Sequence, residues 1–408
     1  MKNLSKLRLS YALCAASLAL IAASPALSQE SVRIGYVVSK TGANAGGATT
    51  STIPNYELWV HEINEAGGIQ VGDQKLKIEV VEYDDRSSSE EAVRAVERLA
   101  TQDKVDFILT PWGTGNNLAV GPIFDKYGYP QIAGTSVTDR APDLAKRWPN
   151  SYWLLGTGGS YAEGFVDLLV KLREEGKIGD EVAMASIADG FGIELSTAGR
   201  TALQENGFKL VYDQTYPLGT QDLAPIVNEV KALNPDVFIA FSYPPDTLGL
   251  TDQARVLGFN PKIFYTGVAT AFPLYKDRFK DAANGVVSLG GIDPNDEKVK
   301  AYIAKHKEVT GKEPDRWASF MTYAGLQALQ QSIEQSGTLD KEKVSEVLRT
   351  GTFDTVLGNI SFDNENRQVP NIFTVGQWQD GEFVGLVPTD KEGSGELVFP
   401  KPEWPAAQ

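Results

Sequence analysis

The chain has 408 residues, a formal net charge of −15, 42% apolar residues and one cysteine. The acidic balance argues against nucleic acid and anionic lipid as partners, because no basic patch is available to displace their counterions. The cysteine, Cys14, lies in an N-terminal segment that we expect to be removed, which leaves no disulfide, thiolate nucleophile or cysteine metal site in the remainder.

The first 28 residues have the pattern of a secretory signal peptide. Three basic residues open the segment, an apolar core follows over 11–23, and small residues precede the expected cleavage after Ser28 or Ala26. The apolar core is shorter than the ~20 residues that cross a bilayer, so a membrane anchor is the weaker interpretation. We therefore expect an exported chain whose mature part does not insert into the membrane.

Strand and helix patterns alternate along the rest of the chain. Apolar β-branched runs that end in turn residues predict strands, and apolar residues at helical spacing predict the helices between them. The predicted strands are 32–38, 76–82, 105–109, 131–133, 181–187, 209–214, 236–241 and 262–265. The predicted helices are 52–65, 89–101, 117–127, 162–175, 193–206, 223–233 and 247–257. This alternation predicts the α/β class, with mainly parallel sheets flanked by helices, and the length favours two lobes over one core.

Four of the predicted strands end in loops rich in Gly, Ser, Thr and aromatic residues, at 110–117, 134–137, 189–192 and 241–245. In open α/β sheets, ligands bind beyond the carboxyl ends of the strands, where N–H groups at helix starts can meet an anion. The simpler interpretation is that these residues only form turns. Four such loops together favour a ligand site.

Signals for catalysis and for metal binding are weak in this sequence. His61 and His306 lie in polar helix segments without a second histidine at ligand spacing, which favours helix-surface positions. The run at 158–162 lacks the last glycine of a serine nucleophile elbow, and the loop at 42–47 has neither a P-loop nor a dinucleotide fingerprint. We expect no catalytic residue, no metal and no cofactor.

An ordered set of short motifs resembles a known family. The segments are 34–37, 63–69, 83–85, 317–326, 354–358 and 360–363. Over residues 32 to about 380, the chain resembles the periplasmic solute-binding proteins of branched-chain amino-acid-type ABC transporters, the Leu/Ile/Val-binding family. The resemblance implies a two-lobed type I periplasmic binding fold of the Venus-flytrap kind, with three chain crossings and a ligand cleft that closes by hinge motion.

The same resemblance implies domain limits and partners. It predicts a first lobe over 30–156 plus 285–356, a second lobe over 157–284 plus 357–387, and a C-terminal tail over 388–408. It also implies a location in the periplasm, a small-molecule ligand in the cleft and an inner-membrane ABC permease as the partner that receives this ligand.

Residues carried over from the family give a predicted ligand site. Thr114 and Gly115 would hold a ligand carboxylate together with Thr135, Ser136 and Val137, by hydroxyl and backbone N–H groups. The other members of the predicted site are Asn44, Trp112, Phe191, Tyr243 and Gly267.

Position 267 is the informative departure from the family, because amino-acid binders carry there a glutamate that pairs with the ligand ammonium. This chain has Gly267 or a neighbour of it at that site, so an α-amino acid fits poorly unless another acid, such as Asp189, substitutes.

The predicted pocket is roomy and lined by aromatic side chains. Gly46 and Gly47 leave space, and Trp112, Phe191 and Tyr243 supply the aromatic walls. These residues favour a small, partly apolar carboxylate, with an aromatic acid as one candidate. Alternatives stay open: the aromatic residues belong to the lobe cores around a polar pocket, the cargo is a branched-chain or other amino acid, or the protein is an exported ligand sensor. An enzyme is the least favoured class.

Overall fold

The computed structural model describes residues 31–367 and 372–405, so the predicted signal peptide lies outside the described residues. The strands are β1 (Ser31–Val38), β2 (Ile69–Val71), β3 (Gln74–Asp84), β4 (Phe107–Leu109), β5 (Gln131–Ala133), β6 (Ser151–Trp153), β7 (Glu181–Ile187), β8 (Lys209–Tyr216), β9 (Val237–Phe241), β10 (Ile263–Thr266), β11 (Val287–Leu289), β12 (Thr352–Thr355), β13 (Gly358–Ser361), β14 (Val375–Gln379) and β15 (Glu382–Val387). The helices are α1 (Ala45–Gly47), α2 (Ile53–Glu65), α3 (Ser89–Arg98), α4 (Thr114–Tyr127), α5 (Ala141–Arg147), α6 (Gly158–Glu174), α7 (Gly190–Glu205), α8 (Ala224–Leu233), α9 (Pro244–Leu257), α10 (Pro273–Phe279), α11 (Glu297–Thr310), α12 (Ala318–Ser336) and α13 (Lys341–Thr350). None of the helices in these two described stretches is long and apolar enough to cross a bilayer.

A four-stranded sheet in the order β2-β3-β1-β4 organises the first lobe. Strand β1 is parallel to both β3 and β4, and β2 joins the edge as an antiparallel strand. Strand β1 is buried over most of its length, as expected for a strand with helices on both faces. The long helix α12 packs against α2, β2 and β5 of this lobe and is itself mostly buried.

A seven-stranded sheet in the order β15-β14-β11-β10-β9-β7-β8 organises the second lobe. Strands β7 to β11 are parallel to one another, whereas β14 pairs antiparallel with β11 and with β15. The interior strand β9 is buried at every position, which explains its continuous apolar sequence. The mixed α/β class and its mainly parallel sheets are therefore confirmed.

Strand pairing separates β11 from the hairpin of β12 and β13. Strand β11 belongs to the seven-stranded sheet, through parallel pairing with β10 and antiparallel pairing with β14. The hairpin of β12 and β13 follows α13, which packs on α12, the long helix of the first lobe. The sequence pattern predicts no strand at β11.

Several helices begin earlier than the apolar periodicity predicts. Helix α4 begins at Thr114 directly after Gly113, whose φ of 90° is a left-handed conformation that favours glycine. Helix α9 begins at Pro244, and proline suits the first helical turn because that turn needs no N–H donor there. The earlier starts place predicted loop residues in first helical turns, where their N–H groups lack partners inside the helix.

The C-terminal segment packs against the second lobe. The backbone N–H of Lys401 donates to the carbonyl of Lys262, and the indole N–H of Trp404 donates to the carbonyl of Phe259 at 2.7 Å. The Trp404 ring also meets Phe264 edge to face, with ring centres 5.4 Å apart. Residues up to 405 therefore add to the outer surface of the seven-stranded sheet.

Candidate ligand cleft

The first wall of the candidate site is the N-terminus of α4. Thr114 and Gly115 occupy its first turn, where backbone N–H groups and the helix dipole favour an anion. The Thr114 hydroxyl also accepts a hydrogen bond from the N–H of Val137 at 3.2 Å, and the N–H of Gly113 donates to the Thr135 hydroxyl at 3.1 Å. These bonds hold the loops after β4 and β5 together, so the hydroxyls of Thr114 and Thr135, which are predicted to bind a carboxylate, lie close to each other.

The second wall comes from the second lobe and is aromatic. The ring of Phe191, in the first turn of α7, stacks on Tyr243 with centres 5.2 Å apart and an angle of 23° between the rings. The Tyr243 ring lies 4.8 Å from the indole of Trp112, which belongs to the first lobe. The aromatic residues predicted from three separate loops therefore meet across the two lobes.

These walls enclose a cavity of about 10 Å³, which is room for about one water molecule. Its lining consists of Trp112, Gly113, Thr114, Thr135, Leu155, Phe191, Tyr243, Val268, Trp317 and Ala318. Five of the ten predicted site residues are in this lining, and all of its residues are uncharged. A ring-sized ligand can enter only when the walls of the two lobes separate.

The expectation of a roomy pocket is wrong, because the indole of Trp112 fills the space that Gly47 leaves. A Cβ atom on Gly47 would lie 2.1 Å from Cζ2 of this indole. Gly46 does not face the pocket either, since a Cβ on Gly46 would lie 3.3 Å from the side chain of Pro244 in the second lobe. The glycines of the first loop therefore allow close packing rather than open space.

The remaining predicted residues lie around the cavity rather than in its lining. Ser136 is fully buried and its hydroxyl makes no hydrogen bond, and the side-chain oxygen of Asn44 is buried in the same way. Gly115 faces Gly190 of α7, where the two lobes come into backbone contact. At Gly267, a Cβ would lie 2.3 Å from the carbonyl oxygen of Ser242, so no side chain fits at this position. Its neighbour Val268 lines the cavity instead.

Acidic groups lie behind the aromatic wall. The Tyr243 hydroxyl donates to Oδ2 of Asp189 at 2.6 Å, and the other oxygen of Asp189 accepts the N–H of Gly192 at 3.1 Å as the cap of α7. Burial raises the pKa of the Asp189 carboxyl above its usual range. Burial, with a contribution from the nearby Asp189 charge, raises the pKa of Asp246 to about 6. The hydroxyl of Tyr243, a lining residue, thus connects the cavity wall to the Asp189 carboxylate.

Trp317 is the main site residue that the sequence reasoning missed. It precedes α12, lines the cavity, and lies 6.4 Å from the ring of Phe191. Its indole N–H donates to the Tyr161 hydroxyl at 2.9 Å, a bond between residues of α6 and the start of α12. In the sequence, Trp317 opens a buried apolar helix and looks like a core residue, so no local signal separated it from the core.

Within residues 31–367 and 372–405, no group of three His, Cys, Asp or Glu side chains could hold a metal ion. His306 is fully buried, contrary to the expected surface position, and its Nδ1 lies 2.8 Å from the carbonyl of Lys312. Burial lowers the pKa of His306, which favours its neutral form. This histidine stabilises the end of α11 and lies outside the cleft lining.

A family model for periplasmic binding proteins matches residues 31–382. The chain belongs to the periplasmic binding protein family. A Leu/Ile/Val-binding protein homologue of Brucella suis biovar 1 is 24% identical to this periplasmic binding protein over 368 residues, which cover 85% of this chain and 88% of the relative. Proteins of this family bind solutes for ABC transporters and are not enzymes, so this chain is a solute-binding protein.

Solved structures confirm the type I periplasmic binding fold. The branched-chain amino acid binding protein LivJ from Streptococcus pneumoniae, in complex with isoleucine, is 21% identical, has a TM-score of 0.74, and matches 86% of this chain and 97% of its own. A solute-binding protein from Rhodopseudomonas palustris BisB5, in complex with 3,4-dihydroxybenzoic acid, is also 21% identical, has a TM-score of 0.75, and matches 88% of this chain and 96% of its own. At these identities the comparison establishes the fold of this periplasmic binding protein.

Proposed function

We propose that this protein is the periplasmic component of an ABC importer for small, partly apolar carboxylates, with aromatic acids as the preferred cargo. The observation that carries the proposal is the pairing of two walls across one cleft. A helix N-terminus with hydroxyl groups lies on one side, and the stacked rings of Phe191 and Tyr243 lie on the other. A carboxylate fits the first wall and a planar ring fits the second.

The uncharged lining argues for an anion held without a salt bridge. The ten lining residues include no Lys or Arg, so a carboxylate would be held by hydroxyl and backbone N–H groups, as Thr114 and its helix turn provide. They include no Asp or Glu either, and Gly267 cannot carry a side chain. An α-ammonium group would therefore have no direct partner charge in the lining, which is costly for a buried cation.

Branched-chain amino acids are the second candidate cargo, and one observation favours them. Asp189 lies next to the lobe contact, with Oδ2 3.9 Å from the position of a Cβ on Gly115. Its carboxylate already accepts bonds from Tyr243 and Gly192, so it would have to exchange the Tyr243 hydroxyl for a ligand ammonium. The relatives named above include both an isoleucine complex and a dihydroxybenzoate complex, which supports testing the two classes side by side.

Capture and delivery depend on hinge closure in this proposal. We place the residues up to about 156, and from α11 to Ser361, in the first lobe, and the two sheet segments β7–β11 and β14–β15 in the second. A ligand that contacts both lobes stabilises the closed form by its differential affinity, and the closed form is the one presented to the inner-membrane permease.

A thermal-shift panel with benzoate, 4-hydroxybenzoate, 3,4-dihydroxybenzoate, leucine and isoleucine tests this proposal. A cargo at about 100 times its Kd stabilises the folded protein by about 3 kcal/mol, which gives a clear increase in Tm. We expect the increase with at least one aromatic acid, and a smaller one in a Phe191→Leu variant. Stabilisation by leucine or isoleucine and by no aromatic acid would refute the aromatic assignment.

A further inference from the structure

The indole of Trp112 is held in a socket of the first lobe. Its N–H donates to the hydroxyl of Ser51 at 3.0 Å, and both groups are buried. Ser51 belongs to a π-helical turn, Ala48–Thr52, which lies between α1 and α2. Such turns are rare, occur mostly as single turns within α-helices, and are frequent at functional sites. The bond fixes one edge of the indole, so the direction in which its ring extends is set by this turn.

The floor of this socket is Gly47, the last residue of α1. A Cβ at this position would lie 2.1 Å from Cζ2 and 2.2 Å from Cε2 of the indole, whereas ordinary contacts between carbon atoms are about 3.5–4 Å. The indole also meets Tyr243 of the second lobe, at 4.8 Å between ring centres. Only a hydrogen atom at position 47 therefore leaves the indole in its present plane.

We propose that Gly47 is a positioning residue that sets the width of the ligand site through Trp112. The inference rests on the proposed function, in which Trp112 forms part of the wall that meets the cargo. With glycine at position 47, the indole packs directly on the backbone of the first lobe, and the cleft admits a planar ring once the two lobes separate. A side chain at position 47 moves the indole toward Tyr243 and narrows the same space.

The test compares benzoate, a planar ring acid, with hexanoate, a flexible acid that can rearrange around a shifted indole. In Gly47→Ala, we expect benzoate affinity to fall by about tenfold or more relative to hexanoate affinity, as measured by calorimetric titration. In the double variant Gly47→Ala, Trp112→Phe, the smaller ring removes the overlap, and the ratio of the two affinities returns toward the wild-type value.

Gly46→Ala is the matched control, because the new Cβ would meet Pro244 at 3.3 Å and no atom of Trp112. Its benzoate-to-hexanoate ratio should stay at the wild-type value. An equal change of the ratio in Gly46→Ala would overturn the inference, since the effect would then belong to the loop and not to the indole.

Thermal unfolding without any ligand separates this inference from the proposed function. Gly47→Ala should lower Tm, and the added Trp112→Phe change should recover part of the loss, because the two positions contact each other. If the wild-type protein binds neither acid nor any other carboxylate of the panel, the proposed function fails while this coupling can still be present. Absence of the coupling would overturn the inference and leave the proposed function standing. The same holds if the coupling is present, the protein binds benzoate, and Gly47→Ala leaves the benzoate-to-hexanoate affinity ratio unaltered.

Discussion

Asp246 should make this protein less stable as the pH rises through about 6. Its side chain is 2% exposed, at the start of α9, and burial raises its pKa from 3.8 to about 6, with a smaller contribution from the nearby Asp189 charge. A difference of about two pKa units corresponds to about 3 kcal/mol between the charged and neutral forms. Because the folded state holds this proton more tightly than the unfolded state, the stabilisation is present at low pH and is lost as the pH rises.

An Asp246→Asn variant isolates this effect. The pKa of this carboxyl is about 4 in the unfolded state and about 6 in the folded state. Linkage therefore predicts that, between about pH 4.5 and about pH 8, the free energy of unfolding falls by about 2 kcal/mol more in wild type than in the variant. Urea unfolding of both proteins at the two pH values measures the difference, and shared contributions from all other groups cancel. At about pH 8 the variant should be the more stable protein. Identical pH dependence in the two proteins would refute the argument that Asp246 is buried in its charged form above pH 6.

Three further changes separate binding from folding. Ser136→Ala removes a buried hydroxyl that makes no hydrogen bond, so we expect an unchanged or slightly raised free energy of unfolding. The binding free energy of the aromatic acid should weaken by about 0.5–1.5 kcal/mol, or by about 1.5–3 kcal/mol if the hydroxyl meets an ionised carboxylate. Calorimetric titration and urea unfolding measure the two values. An affinity equal to that of wild type would exclude Ser136 from the groups that bind the ligand carboxylate. Phe191→Ala should weaken the binding of aromatic acids more than that of aliphatic acids in the same titration, and equal losses of affinity for both classes would indicate a structural role. Trp404→Ala should lower the unfolding free energy by about 2 kcal/mol, because the ring is partly buried and its N–H bond to Phe259 is lost. It should also expose the tail to limited proteolysis, and an unchanged cleavage pattern would show that Trp404 does not hold the tail.

The order of strands and helices was largely predictable, because periodicity over five or more residues is a local property. Strand β9, buried at every position, is apolar throughout, and its sequence alone indicates a central parallel strand. The three residues of β11 give no such signal, and their place in the second sheet depends on pairing with β10 and β14.

The members of the candidate site were predicted better than its shape. Trp112, Phe191 and Tyr243 do meet, since each follows the carboxyl end of a strand, where the topology brings loops together. The direction of the Trp112 indole could not be predicted, because it depends on Gly47 and on a π-helical turn that periodicity does not reveal. Trp317 was missed because its approach to the cavity follows from a bond to Tyr161, far away in the sequence.

The most direct test of the central claim is calorimetric titration of the wild-type protein with 3,4-dihydroxybenzoate, benzoate and leucine. The protein is first unfolded and then refolded, so that any bound solute is removed before the titration. The account predicts one bound molecule of an aromatic acid per chain, with an affinity at least about tenfold above that for leucine. Binding of leucine with no measurable binding of either aromatic acid would contradict it, and would place Asp189 instead of the aromatic wall at the centre of recognition.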